Sequence, residues 1–73
     1  MALTKIKTYQ QVKLNRIDGG RCVRARLSDL GITIGSRIKM IKNDIYGPII
    51  VNVRGANIAL GRGIASKLDV ITG

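Results

Sequence analysis

The stretch from Gly20 to Gly35, GRCVRARLSDLGITIG, constrains the fold of this 73-residue chain most strongly, because it has the periodicity of an amphipathic helix. Its apolar residues are spaced i, i+4 and i+7, which puts them on one face of a helix: Val23, Leu27 and Leu30. Gly31 follows the last of them, at a position where helices commonly end with a left-handed residue. The sequence therefore predicts one helix over residues 20–30 and a turn over residues 31–35.

Most of the remaining chain alternates apolar and polar residues over short runs, as β-strands with one buried face do. The predicted strands cover residues 11–17, 36–42, 49–54, 58–60 and 68–71. Gly55-Ala56-Asn57 reads as a tight turn between two strands, and Gly61–Ser66 as a single helical turn. Short strands with tight turns in so small a chain predict a mainly β fold, a partly open barrel with one main helix and a short C-terminal helical turn.

Composition limits the core and the setting of the chain. Aromatic residues make up 3% of the sequence against 45% hydrophobic residues, so the core of this single domain, residues 1–73, must be aliphatic. The one cysteine, Cys22, excludes an internal disulfide and fits a reducing, cytoplasmic setting; we expect it to pack as a small apolar residue. No apolar stretch approaches the roughly 20 residues that cross a bilayer.

The residues needed for catalysis or metal binding are scarce. The chain has no histidine, the side chain best suited to proton transfer near neutral pH. Its carboxylates are far apart in sequence: Asp18, Asp29, Asp44 and Asp69. Structural zinc takes about four Cys or His ligands, and this chain offers one. We therefore predict no enzyme, and no catalytic, cofactor-binding or metal-ligating residue. Asp18 is expected to face the N-terminus of the helix.

A net charge of +9, from 13 Lys and Arg against four Asp, favours an acidic partner. The basic residues lie on the polar side of the predicted helix and on the strands: Arg21, Arg24, Arg26, Lys13, Arg37, Lys39 and Lys42. Nucleic-acid-binding barrels usually add aromatic platforms for base stacking, and Tyr9 and Tyr46 are the only candidates here. A solvated basic surface is therefore favoured, and a nucleic-acid-binding barrel is kept as the alternative.

A series of short motifs gives the chain a family resemblance. The pattern R-x-R-L-x-x-L-G-x-x-x-G runs from Arg24 to Gly35, and is followed by V-R-G at residues 53–55 and I-A-L at residues 58–60. With these motifs the chain resembles the ferrous iron transport protein A (FeoA) family from about residue 3 to residue 70. The family often has proline before Gly35, where this chain has Ile34.

The resemblance implies an SH3-like barrel, similar to the C-terminal domain of diphtheria-toxin-repressor-type metalloregulators. It also implies a cytoplasmic accessory of a membrane ferrous iron transporter with a GTP-binding domain (FeoB). Fe²⁺ is the ion that this partner handles, and the accessory is peripheral to the membrane at most. The DNA-binding helices of those regulators are missing from this chain, so repression is not implied.

Without catalytic residues, function is expected on a surface made by the helix and its exit turn. Arg24 and Arg26 are predicted to supply charge for an acidic face of the transporter, and Ile32 and Ile34 to supply apolar contact. Three glycines are predicted to determine turns of the fold: Gly31, Gly35 and Gly55. Leu27 and Leu30 are expected to serve folding alone.

Overall fold

The structure is a computed structural model that describes residues 1–72. After a 3₁₀ turn over Leu3–Lys5, its strands and helices follow in this order: β1 (Gln11–Ile17), α1 (Gly20–Asp29), β2 (Arg37–Asn43), β3 (Ile49–Val53), β4 (Ala56–Leu60), α2 (Arg62–Ala65) and β5 (Leu68–Thr72). This order confirms the predicted mainly β fold with one main helix and a short helical turn before the last strand.

The five strands form one antiparallel sheet in the order β4-β3-β2-β1-β5. Strands β2 to β4 follow each other as hairpins, whereas β1 pairs with β5 from the other end of the chain. The sheet forms a barrel that is only partly closed, because its two edge strands, β4 and β5, are not paired with each other. The N-terminus covers the outer edge of β5: Ala2 bridges Asp69, and the Val70 N–H donates to the Met1 carbonyl at 2.7 Å.

The core is aliphatic apart from Met40, as the composition predicts. It contains residues from every strand, from both helices and from the N-terminal segment, and no buried polar or charged residue among residues 1–72. The larger side chains that lose almost all contact with solvent are Leu3, Ile6, Leu14, Leu27, Ile32, Ile38, Met40, Ile49, Val51, Leu68 and Val70. The N-terminal segment thus contributes Leu3 and Ile6 to the core.

β1 departs from strict alternation, and a bulge explains the departure. Val12, Leu14 and Ile17 are buried, but two exposed residues, Asn15 and Arg16, separate the last two. The pairing of β1 with β5 shifts register between Leu14 and Arg16, which lets one extra residue pass without turning Ile17 outward. Bulges bend a strand and increase its twist, and this one helps the small sheet to curl.

The predicted turn between β3 and β4 was placed too far along the chain. Arg54 and Gly55 both have positive φ, 55° and 82°, and Val53 pairs directly with Ala56. This is a two-residue hairpin turn with the conformation whose twist matches that of the flanking strands. Gly55 keeps its predicted role in the turn, whereas Ala56 and Asn57 belong to β4.

Candidate functional surface around the main helix

α1 packs on the barrel with the face that its periodicity indicates. Leu27 is fully buried and Val23 is partly buried against the core, while the predicted polar side carries exposed Arg24 and Ser28. The helix begins after Gly19, which has φ 114° and provides no side-chain cap. Asp18, which is expected to face this N-terminus, pairs through its carboxylate with Arg16 at 3.3 Å.

The end of α1 has the hydrogen bonds of a Schellman motif. The Gly31 N–H donates to the Ser28 carbonyl at 2.9 Å, and the Ile32 N–H donates to the Leu27 carbonyl at 2.8 Å. Gly31 has φ 83°, a left-handed conformation that suits glycine and confirms its predicted place in the turn. A Schellman motif usually includes an apolar contact between the residues that the longer bond joins, here Ile32 and Leu27.

This motif corrects the prediction for Ile32. Both Ile32 and Leu27 are fully buried members of the core. Ile32 therefore has no exposed surface to offer a partner, and its predicted role as a contact residue is wrong. The sequence spacing did not reveal this, because the side chain after a helix-ending glycine is directed by the turn and not by helical periodicity.

The exit turn exposes the next apolar residue. The Ser36 N–H donates to the Thr33 carbonyl at 2.9 Å, and Gly35, the third residue of this turn, has φ 90°. A positive φ at that position is the mark of a type II turn. Ile34 occupies the second position, where proline is favoured, and 53% of its surface is exposed. Its side chain is available to a partner.

Arg24 and Ile34 line the same concavity, on one side of α1. This concavity of ≈ 180 Å³ has a mostly apolar lining: Ile17, Arg24, Ser28, Ile32, Thr33 and Ile34. Ile32 contributes only to its buried floor. The structure thus brings one predicted cation and one predicted apolar contact together.

Arg26 lies on the other side of α1, away from that pair. It lines a second concavity of ≈ 340 Å³ between α1, the end of β4 and α2, together with Asp29, Leu30, Ala59, Leu60, Gly61 and Ile64. Sequence reasoning missed this groove, because its apolar lining comes from three elements that are distant along the chain. α1 therefore separates two concavities, each with one arginine at its margin.

Two residues of α1 are more exposed than predicted. Leu30 ends the helix with 42% of its surface exposed, so it does not complete the buried stripe and lines the second concavity instead. Cys22 is also exposed, which contradicts its predicted packing as a small apolar residue. Cys22 directly precedes Val23, and successive residues of a helix point in directions about 100° apart, so its side chain points away from the buried face.

The charges of α1 are not neutralised within the described chain. Among residues 1–72, Arg24 and Arg26 take part in no salt bridge, and three of the four carboxylates contact other groups. Asp69 accepts a hydrogen bond from Asn15 at 2.9 Å and one from the Met1 ammonium at 2.7 Å, and these bonds lower the pKa of its carboxyl group. The fourth carboxylate, Asp29, lines the concavity of Arg26 but forms no salt bridge with it, so the net positive charge of α1 is left to solvent or to a partner.

Metal-ligand groups and long apolar helices are two further features to consider. Residues 1–72 do not gather three or more His, Cys, Asp or Glu side chains into a group that could hold a metal ion. In the same part of the chain, no helix has the length and apolar character needed to cross a membrane.

Comparison with known proteins identifies the family. The family model described as FeoA domain matches residues 1–71. The chain is 44% identical over 64 residues to "Putative Fe(2+) transport protein A" of Methanocaldococcus jannaschii, covering 88% of this chain and 77% of that protein. A crystal structure described as iron uptake regulatory protein (FeoA) superposes with a TM-score of 0.88 and 30% identity, over 97% of this chain and 93% of the other.

A more distant likeness concerns the fold alone. A manganese-dependent transcriptional repressor in complex with manganese superposes with a TM-score of 0.92 at 22% identity; the match covers all of this chain and 36% of the repressor. The expected likeness to a domain of metalloregulators is thus present in the backbone. The family model spans nearly the whole sequence and the barrel agrees with that of solved FeoA structures, so this chain belongs to the FeoA domain family.

Proposed function

We propose that this chain is a non-catalytic cytoplasmic accessory of a ferrous iron uptake system, and that it acts by contact with the GTP-binding domain of the membrane ferrous iron transporter. The family and the name of the archaeal relative support a place in Fe²⁺ transport. The observation that carries the contact is α1, which presents unneutralised arginines beside two apolar concavities.

The surface has the composition of a protein interface. Arginine is enriched at protein interfaces, and the buried centre of an interface is more apolar than its polar rim. Here Arg24 lies beside Ile34, and Arg26 beside Leu30. Full burial of an exposed branched apolar side chain contributes roughly 1.5–3 kcal/mol. Ile34 and Leu30 are 53% and 42% exposed, so each can still gain about half of that on binding, which is enough to matter in a transient complex. The arginines would select an acidic face of the transporter and speed its approach.

The test is an NMR titration of the ¹⁵N-labelled protein with the cytoplasmic GTP-binding domain of the transporter. We expect the amide signals of residues 24–35 to shift, together with those around Ile64, which lines the second concavity. Arg24→Ala combined with Ile34→Ser should weaken binding by about tenfold or more, because it removes a charge and an apolar anchor from one concavity. Shifts confined to the opposite side of the barrel would overturn the proposed surface.

A matched control is available on the same helix. Arg21→Ala removes an exposed charge from the first turn of α1 but from neither concavity. It should leave the affinity within about twofold of wild type, a loss well below 1.4 kcal/mol. Leu30→Ser and Arg26→Ala test the second concavity separately. If the two concavities respond differently, the interface lies on the side whose variants lose affinity.

An oligonucleotide of mixed sequence tests the alternative function. If it binds with an affinity that falls steeply as salt rises, while the transporter domain does not bind, the chain is a nucleic-acid-binding barrel. The transporter interface includes apolar contact, so its affinity should depend less on salt.

A further inference from the structure

We propose that the outer face of β1, β2 and β3 binds a condensed phosphate group, such as that of a nucleoside di- or triphosphate. This face is separate from the surface around α1. Its floor is a concavity of ≈ 260 Å³ lined by Gln11, Arg37, Ile38, Lys39, Asn52 and Arg54. Three cations and two side-chain amides, all able to donate hydrogen bonds to phosphate oxygens, therefore line one small space.

The strand register increases the positive charge of this face. Lys13 of β1 pairs directly with Arg37 of β2, and both side chains are exposed. Directly opposite residues lie on the same face of a sheet, about 5 Å apart at Cβ, and like charges there are destabilising. Lys39 follows Arg37 on the same face of β2, since alternate residues of a strand point the same way. The fold thus keeps an arrangement that costs it stability.

No carboxylate of the described chain relieves this repulsion. Asp18 pairs with Arg16, Asp44 with Lys42, and Asp69 with the N-terminus and Asn15. The fourth, Asp29, lines the concavity beside α2. An anion bound at the outer face would therefore supply the countercharges that residues 1–72 do not.

Tyr9 adds a further constraint at the margin of this face. The Lys39 ammonium lies 5.9 Å from the centroid of the Tyr9 ring, within the range of a cation–π contact. Tyr9 reaches this place with φ 67°, which is unusual for a bulky residue, and its N–H donates to the Met40 carbonyl at 2.6 Å. The contact limits the positions of the Lys39 side chain, so less freedom is lost when an anion binds.

Charge and volume favour a condensed phosphate over a single phosphate group. A phosphate monoester carries about two negative charges at neutral pH, fewer than the positive charges of Lys13, Arg37, Lys39 and Arg54 together. A di- or triphosphate brings more charge into the same space. The concavity is smaller than the roughly 300–1,000 Å³ of most pockets that enclose a ligand, so it suits the phosphate part and leaves a nucleoside outside.

The test is a titration of the ¹⁵N-labelled protein at constant ionic strength, maintained with NaCl, with inorganic tripolyphosphate, GTP, ATP and orthophosphate. We expect tripolyphosphate and the nucleotides to shift amides of residues 11–13, 37–39 and 52–54, and to bind more tightly than orthophosphate. Equal affinity for tripolyphosphate and nucleotide assigns recognition to the phosphates alone. Tighter binding of one nucleotide adds a contact from its base or ribose.

Charge-matched variants separate the site from the overall charge. Arg37→Gln with Lys39→Gln should lower the affinity for tripolyphosphate by about tenfold or more. Arg21→Gln with Lys67→Gln removes the same charge elsewhere and should leave the affinity within about threefold. If both pairs weaken binding equally, the anion responds only to net charge and the proposed site is wrong.

A third variant separates weaker binding from loss of stability, because the two properties should change in opposite directions. Lys13→Glu turns the repulsive pair with Arg37 into an attractive one, so the variant should unfold at a higher temperature and yet bind tripolyphosphate more weakly. Three results would overturn the proposal: no shifts in β1 to β3 with any small phosphate, shifts only with an oligonucleotide, or binding only to vesicles that contain anionic lipid.

Discussion

Arg62 donates a hydrogen bond of 2.8 Å from Nη2 to Oδ1 of Asn43, and this contact joins α2 to the end of β2. The Asn43 amide nitrogen donates in turn to the carbonyls of Thr4 and Ile6, at 3.0 and 2.8 Å, and the Arg62 Nε donates to the Gly47 carbonyl at 3.1 Å. Asn43 thus links three segments that are distant in sequence, and both ends of its amide group are used.

The first prediction concerns this link. Asn43→Ala should lower the free energy of unfolding by about 1–3 kcal/mol, because it leaves partly buried donors and acceptors without partners. Asn43→Asp should also destabilise the protein, since a carboxylate can accept from Arg62 but cannot donate to the two carbonyls. Urea unfolding measures both. Asn57→Ala, which removes an exposed hydrogen bond to Asn52, serves as the control with an expected change below about 0.5 kcal/mol.

The second prediction separates the two isoleucines that follow α1. Ile32→Ala should cost about 2–5 kcal/mol of stability, because it leaves a cavity at the base of the Schellman motif. Ile34→Ala should change stability by less than about 0.5 kcal/mol, because this side chain is half exposed. Thermal or urea unfolding of the two variants compares them directly. Equal losses would contradict the full burial of Ile32 and the partial exposure of Ile34.

The third prediction concerns the turn between β3 and β4. Arg54 has φ 55°, a left-handed conformation that costs most residues roughly 1–2 kcal/mol but that asparagine adopts more readily. Arg54→Asn should therefore raise the unfolding temperature and at the same time remove a cation from the proposed phosphate site. Gly55→Ala should lower the unfolding temperature, because alanine is strained at φ 82°. A lower unfolding temperature for Arg54→Asn would mean that the arginine has stabilising contacts in the folded state.

The fourth prediction concerns pH. Two hydrogen bonds lower the pKa of Asp69 below its ordinary value of 3.8: the larger effect comes from Asn15 and the second from the Met1 ammonium. A carboxyl group whose pKa is lower in the folded state stabilises the fold fully above its unfolded pKa, and this stabilisation is lost as the pH falls through the folded value. Asp69→Asn should therefore be less stable than wild type at neutral pH, and the difference should shrink as the pH drops below 3.8. Urea unfolding at several pH values measures it.

The sequence was most informative where local patterns decide the structure. The alternating run over residues 49–54 predicted a strand with one buried face, and Ile49, Val51 and Val53 form that face of β3. The spacing of Val23 and Leu27 predicted the buried face of α1. The positive φ of Gly31 confirmed the end of the helix. These features depend on neighbours within a few residues, so periodicity and turn chemistry were sufficient to predict them.

The candidate surface was harder to predict, because it depends on contacts between distant segments. Helical spacing alone could not show that Leu30 would end the helix exposed. It puts Arg24 and Arg26 on different sides of the helix, but it could not show which residues of other elements complete the concavity beside each. The role of Arg62 also depends on a partner 19 residues away. That segment was predicted as a single helical turn, which the structure confirms, but no local signal indicated the hydrogen bond to Asn43.

The pairing of β1 with β5 has a consequence for how the chain folds as it leaves the ribosome. β2, β3 and β4 join through short loops, so these hairpins can form soon after their residues emerge. β1 must wait for its second neighbour, because Val12 pairs with Thr72. Contacts of such long sequence separation slow folding, since a large loop must close before they form. We therefore expect the barrel to be completed last along one seam, between its first strand and its last.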